Sequence, residues 1–193
     1  HYLLRWFTPA AEIDLCGHAT LATAFIIFQT AAPRGTATIN FITKQSGNLA
    51  VTKVGDRYEI DFPSYHLQPV AVTAEMTAAF GARPEEAYLG RDLLCVFSDE
   101  EVIRQMKPDQ EKLQQLPGLL QNVTARGHDH DCVSRSFAPK MGVDEDPVCG
   151  SGHCHIIPYW AAKLAKRSLV AYQASSRGGV LYCEYQGAVT KIA

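Results

Sequence analysis

Two short segments of the chain each place a cysteine and a glycine directly before an apolar run. They are Cys16-Gly17-His18-Ala19-Thr20 and Cys149-Gly150-Ser151-Gly152-His153. If each segment opens a helix, its first N–H groups lack intrahelical partners and carry the positive end of the helix dipole. Each segment therefore predicts a binding site for a carboxylate or phosphate. Two such sites facing each other would clamp one small anion.

The residues predicted to bind that anion are Gly17, Ala19, Gly150, Ser151 and Gly152. Glycine allows close approach to the backbone, and the serine hydroxyl can donate to a ligand oxygen. In the simpler interpretation, Gly17 and Gly150 are turn residues and Ser151 is an ordinary N-cap.

Candidate acid–base groups lie beside both segments. His18 falls in the first turn of its helix, where the dipole is expected to lower the imidazole pKa and keep a neutral base available. Asp146 precedes Pro147, which favours extended backbone and directs the carboxylate toward the second helix start. We predict both as catalytic residues. Alternatively, His18 is a capping or core histidine, and Asp146 is an acid that pairs with the dipole.

Cys16 and Cys149 occupy equivalent positions and are the alternative catalytic pair. A thiol at a helix start is expected to have a lowered pKa, and two facing thiols would suit a racemase. The simpler interpretation is that both are small buried apolar residues.

The composition and the motifs of the chain argue against several classes of binding partner. The 193 residues carry a formal net charge of −2, which gives no electrostatic footprint for nucleic acid or an anionic membrane surface. No run approaches the ~20 apolar residues of a membrane helix. Six scattered cysteines favour reduced thiols and a cytoplasmic protein. We expect no metal, because His153 and His155 point to different sides of a helix, and no cofactor, because no nucleotide motif is present.

The predicted elements place both segments at the starts of buried helices. A strand over 2–7 and a loop over 8–15 lead into the first helix, which is apolar from Leu21 to Phe28 apart from Thr23. Alternating strands follow over 36–63, then a short helix capped by Gly81, a strand over 92–98 and two helices over 99–118. Strands over 119–139, a second buried helix reaching about residue 167 and strands over 169–187 complete the chain.

This order predicts an α/β (α+β) fold with two pseudo-symmetric lobes, each a curled sheet around a central helix. We assign residues 1–70 and 187–193 to the first lobe and residues 71–186 to the second.

The chain also resembles the phenazine-biosynthesis PhzF-like family, whose fold is related to that of diaminopimelate epimerase. The stretches that carry the resemblance are LRWFTPAAEIDLCGHATLA (4–22), GRDLLCVF (90–97), DCVSRSFAPKMGVDEDPVCGSGHC (131–154), PYWAAKLAK and SSRGG. The resemblance implies two lobes with the active site in their cleft, a last strand that returns to the first lobe, and a homodimer. It also implies that His18, Asp146 and Ser151 line the site.

The same resemblance implies a cofactor-independent isomerase that moves a proton within a small carboxylate. In the family, the general acid/base is a Glu in an N-x-x-E-T-A-F-like segment upstream of R-W-F-T-P, and this sequence does not contain that segment. Either the chain is incomplete at its start, or the protein has lost this carboxylate. A two-cysteine racemase and a catalytically lapsed fold that binds small anions or another protein are the alternatives.

Overall fold

The structure, a computed structural model, describes residues 1–7 and 12–193. Its strands are β1 (Tyr2–Leu4), β2 (Trp6–Phe7), β3 (Glu12–Ile13), β4 (Thr38–Thr43), β5 (Asn48–Val54), β6 (Arg57–Pro63), β7 (Gln68–Val70), β8 (Glu86–Leu89), β9 (Leu93–Val96), β10 (Gln121–Arg126), β11 (Cys132–Ala138), β12 (Val143–Asp146), β13 (Ser168–Gln173), β14 (Gly179–Tyr185) and β15 (Val189–Ile192). The α-helices are α1 (Gly17–Thr30), α2 (Ala74–Phe80), α3 (Glu100–Gln105), α4 (Gln110–Gln115) and α5 (Gly150–Leu164). The fold is mixed α/β, as predicted, and it is dominated by sheet.

Thirteen strands within the described residues form one continuous sheet. Its order is β1-β4-β5-β6-β15-β14-β13-β11-β10-β9-β8-β7, with β12 added on β11. The last strand, β15, lies between β6 and β14 and pairs with both in antiparallel fashion. It therefore joins the early strands to the late ones, which agrees with the returning strand that the resemblance implies. The residue ranges assigned to two lobes stay a prediction.

Helix α5 lies in the main core. Its residues Gly152–Ile157 and Tyr159–Ala161 are buried, and they pack with apolar side chains of β13 and β14 such as Leu169 and Leu181. A second apolar cluster includes residues of α2, α3, α4 and β9–β11. The predicted burial of the second helix is therefore confirmed, although the helix ends at Leu164 rather than near residue 167.

Helix α1 is covered along one side only among the described residues. Gly17, Thr20 and Ala24 are buried, whereas Phe25 is 44% exposed and Ile26 is 56% exposed. Strands β4–β6 contact the covered side. The apolar run predicted that every side of this helix would be buried, and that prediction was wrong. An apolar sequence does not determine how much of the sheet covers the helix.

Several local features follow the sequence, and others do not. Gly81 ends α2 in the left-handed conformation, with φ 72°, as predicted. The 8–15 loop prediction falls partly on residues 8–11, which lie outside the described residues, and it missed β3. Strand β12 was also missed, because its acidic sequence lacks apolar alternation and it pairs with β11 through the backbone. None of the helices in the described part of the chain is long and apolar enough to cross a membrane.

Pro158 lies inside α5 and cannot donate the backbone hydrogen bond that a helix residue normally gives to the carbonyl four residues earlier. That carbonyl belongs to Cys154. It instead accepts from the Tyr65 N–H at 3.1 Å. The segment between β6 and β7 is thereby attached to the central helix through the backbone.

A pair of isoleucine variants tests the unequal burial of the two helices. Ile157→Ala on α5 removes a fully buried side chain and should lower the free energy of unfolding by about 2–5 kcal/mol. Ile26→Ala on α1 is the matched control and should change it by less than about 0.5 kcal/mol. Urea denaturation measures both values, and equal losses would contradict the described packing.

Candidate active site

The starts of α1 and α5 meet. A β-carbon added at Gly17 would lie 3.6 Å from the Cα of Gly150 and 3.0 Å from the Phe62 ring. Phe62, from β6, lies against both glycines and is itself buried. The absence of a side chain at Gly17 therefore lets the start of α1 pack closely on Phe62, whereas a β-carbon at Gly150 would make only ordinary contacts at 3.5 Å or more.

A cavity of about 520 Å³ opens at this junction. It is lined by Cys16–Ala19 from the first helix start, by Gly150 and Ser151 from the second, and by Asp146 and Arg91. The structure thus brings together most of the residues that the sequence suggested for binding and catalysis. Gly152 is an exception: it is buried behind the wall, and its N–H is donated to Cys149 Sγ at 3.3 Å.

The His18 ring has a partner on each nitrogen. Nδ1 lies 3.2 Å from the Val148 carbonyl oxygen, which can only accept, so Nδ1 carries a hydrogen. Nε2 lies 3.4 Å from Cys16 Sγ. Hydrogen bonding to Cys16 is the largest cause that raises the pKa of His18 to about 9, and the Asp146 and Val148 oxygens add to it while burial opposes it. The expectation of a lowered pKa was wrong, because these contacts outweigh the helix dipole.

Asp146 stands at the end of β12 in extended backbone, the conformation that Pro147 favours. Its Oδ1 accepts from the Val148 N–H at 3.1 Å and lies 3.9 Å from His18 Nδ1. The carboxylate and the imidazole therefore share one rim of the cavity. A molecule bound in the cavity would meet both groups at this rim.

The two cysteines at the helix starts are not equivalent. Cys16 is partly exposed and lines the cavity, whereas Cys149 is only 2% exposed and does not line it. Cys149 instead caps α5 through its sulfur. Burial raises the pKa of Cys149 to about 12, so the lowered pKa expected at this helix start was wrong. The geometry does not favour a mechanism with two facing thiols.

Arg91 is a cavity residue that the sequence analysis did not identify. It lies within the GRDLLCVF stretch, where the only available signal is a charged pair directly before a buried strand. Its Nη2 donates to Ser151 Oγ at 2.8 Å. Because Oγ accepts from Arg91, the Ser151 hydroxyl hydrogen stays available for another acceptor.

Asp92 holds Arg91 in place. Its two oxygens accept from Arg91 Nε and Nη2, both at 2.9 Å, and its side chain is fully buried. It also accepts from the Leu120 N–H at 3.3 Å and from Asn122 Nδ2 at 3.4 Å. The carboxylate thus has several donors, with the guanidinium as its charged partner.

Two further histidines of α5 serve the scaffold. His155 Nε2 accepts from the Asp92 N–H at 3.1 Å, and its ring stacks on Tyr65. His153 Nε2 lies 3.3 Å from Ser134 Oγ, on another side of the helix. The two rings point apart, as predicted. Within the described residues, no group of three or more His, Cys, Asp or Glu side chains is placed to hold a metal ion.

A sheet that packs against two helices whose starts share one cavity is an α/β fold of the epimerase-like type. The family model described as "Phenazine biosynthesis-like protein" (PhzC-PhzF) matches residues 1–192. The chain belongs to this family.

Similar proteins support the same assignment. "Uncharacterized isomerase PA3578" of Pseudomonas aeruginosa is 46% identical over 191 residues, which cover 98% of this chain and 72% of the relative. A crystal structure of a phenazine biosynthesis protein of the PhzF family from Enterococcus faecalis is 48% identical. It has a TM-score of 0.94 and covers 98% of this chain and 73% of its own. Family membership and the relatives' names support an isomerase-type function.

The fold extends to more distant proteins. A hydroxyproline epimerase from Agrobacterium vitis matches with a TM-score of 0.64 at 8% identity, over 98% of this chain and 66% of that one. At this identity the likeness concerns the fold alone.

The Arg91–Asp92 pair gives a stability prediction. Arg91→Met leaves the buried Asp92 carboxylate without its charged partner and should cost about 3–5 kcal/mol in the free energy of unfolding. Arg91→Met/Asp92→Asn, which removes both charges, should recover part of that loss. Chemical denaturation measures both of these variants and the single variant Asp92→Asn. A double variant that loses the sum of the two single losses would argue against the pairing.

The contacts of His18 give a pH prediction. The imidazole of the folded protein should titrate near 9, and Cys16→Ser should shift its pKa toward the ordinary value of 6.5. Because the folded pKa is raised, the stability that His18 contributes is complete below pH 6.5 and is lost as the pH rises toward 9. NMR titration of the ring protons tests this, and identical curves in both proteins would contradict the Cys16 contact.

Proposed function

We propose that the protein is a cofactor-independent isomerase that moves a proton within a small carboxylate substrate. The observation that carries the proposal is the junction of two helix starts at one cavity, with an imidazole and a carboxylate at its rim. Cofactor independence and the substrate class are part of the proposal. The homodimer and the cytoplasmic location stay predictions from the sequence.

The substrate carboxylate would bind where the helix starts meet. The first backbone donors to carbonyls within the two helices are Thr20, which bonds Cys16 O, and His153, which bonds Cys149 O. Gly17, Ala19, Gly150 and Ser151 precede these donors and line the cavity, so their N–H groups would be available to a bound anion. Two helix dipoles add their positive ends at the same place, and the Ser151 hydroxyl adds a further donor.

Proton transfer would then use the rim. With a pKa of about 9, His18 is mainly protonated at neutral pH and can donate a proton to a substrate carbon. The Asp146 carboxylate can accept the proton that leaves another carbon. The two transfers balance, so the reaction changes only the position of a hydrogen and of a double bond. These roles replace the neutral histidine base suggested by the sequence.

Solvent-deuterium exchange tests the proposal. A panel of L-α-amino acids and small β,γ-unsaturated carboxylic acids is incubated in D₂O with protein that has been dialysed against EDTA, and carbon-bound deuterium is followed by NMR. We expect exchange on at least one acid without any added cofactor. His18→Asn and Asp146→Asn should each reduce its rate by about 10²–10⁴-fold.

Asp144→Asn is the matched control, because it removes an exposed carboxylate two residues before Asp146 on the same strand. It should exchange at the wild-type rate. Full rates in both His18→Asn and Asp146→Asn would refute the assigned roles. If panel acids bind but none exchanges, the chain is an anion-binding protein and not an isomerase.

A further inference from the structure

The six cysteines differ sharply in access. Five of them are buried, and for each of these burial raises the thiol pKa: Cys95, Cys132, Cys149, Cys154 and Cys183. Cys16 is partly exposed and lines the 520 Å³ cavity. A small reagent entering the cavity therefore meets Cys16 and none of the other five.

Cys16 also has a base fixed against it. Val148 O holds the hydrogen on His18 Nδ1, so in the neutral ring the lone pair of Nε2 faces Cys16 Sγ at 3.4 Å. Nε2 can therefore take the thiol proton, which gives the protonated ring that predominates at neutral pH. The resulting imidazolium is favoured by the Asp146 carboxylate 3.9 Å from Nδ1. The contacts that position His18 therefore place a proton acceptor directly against the Cys16 sulfur.

We propose that Cys16 and His18 form a reactive thiol–imidazole pair, which soft electrophiles modify inside the cavity. The sulfur attacks the electrophilic carbon, and the carbon–sulfur bond forms as the bond to the leaving group breaks. His18 Nε2 holds the thiol proton. The adduct would fill the space proposed for the substrate and should therefore stop deuterium exchange. That loss of activity rests on the proposed function, whereas the modification of Cys16 does not.

Limited alkylation tests the pair. Folded protein is treated with iodoacetamide, and each cysteine-containing peptide is quantified over time by mass spectrometry. Cys16 should be labelled about 10-fold faster than any other cysteine, because the other five are buried and Cys16 lines the cavity next to a proton acceptor. His18→Asn and His18→Gln should both slow the labelling of Cys16 by about 10-fold.

His128→Asn, which changes an exposed histidine in the turn between β10 and β11, is the matched control and should label at the wild-type rate. Circular dichroism confirms that each variant is folded. Equal labelling of Cys16 in wild type and both His18 variants would overturn the pair. Faster labelling of any other cysteine would do the same.

Iodoacetate separates this inference from the proposed function. It carries a carboxylate, whereas iodoacetamide does not. A carboxylate-binding cavity should raise the ratio of iodoacetate to iodoacetamide rates at Cys16 above that of glutathione, and Ser151→Ala should lower it. If iodoacetamide labels Cys16 fast but the ratio of the iodoacetate rate to the iodoacetamide rate equals that of glutathione, the result supports the pair and contradicts the carboxylate site. Slow labelling by both reagents in a protein that exchanges deuterium contradicts the pair alone.

Discussion

The starts of α1 and α5 meet at two glycines, and the cavity opens at that contact. Gly17 and Gly150 approach each other over the Phe62 ring. A β-carbon at Gly17 would press on that ring at 3.0 Å, which is closer than ordinary van der Waals contact. Close packing at the glycines brings the two helix starts together, and the positive ends of the two helix dipoles come close as a consequence. The anion site that we propose follows from it.

Two pairs of oppositely charged groups lie beside this junction, Arg91 with Asp92 and His18 with Asp146. Asp92 is fully buried and is neutralised by Arg91, which in turn reaches Ser151. Asp146 and His18 form a looser pair at the rim, where both keep contact with solvent. A buried pair resists rearrangement because either charge alone would be costly to bury. A half-exposed pair can change its protonation at little cost, as proton transfer requires.

Sequence reasoning found the helix starts because their signal is local. A glycine before an apolar run predicts a buried helix with an accessible start, and α5 follows that pattern. The pKa values of His18 and Cys149 were predicted in the wrong direction, because their causes are not local. His18 lies against Val148, far along the chain, and Cys149 is enclosed by the fold. Arg91 was missed for the same reason: its role depends on Ser151, sixty positions away.

Pro158 in α5 determines how the segment between β6 and β7 is attached to the helix. The tether between Tyr65 and Cys154 joins a backbone N–H to a backbone carbonyl, so replacing either side chain leaves the tether chemically intact. The residue that governs it is Pro158, which takes no part in the bond itself. Any other residue at 158 would supply a competing donor from within the helix. The hydrogen bond therefore depends on the lack of an N–H at position 158, one helical turn beyond Cys154, and not on the side chains of the two residues that it joins.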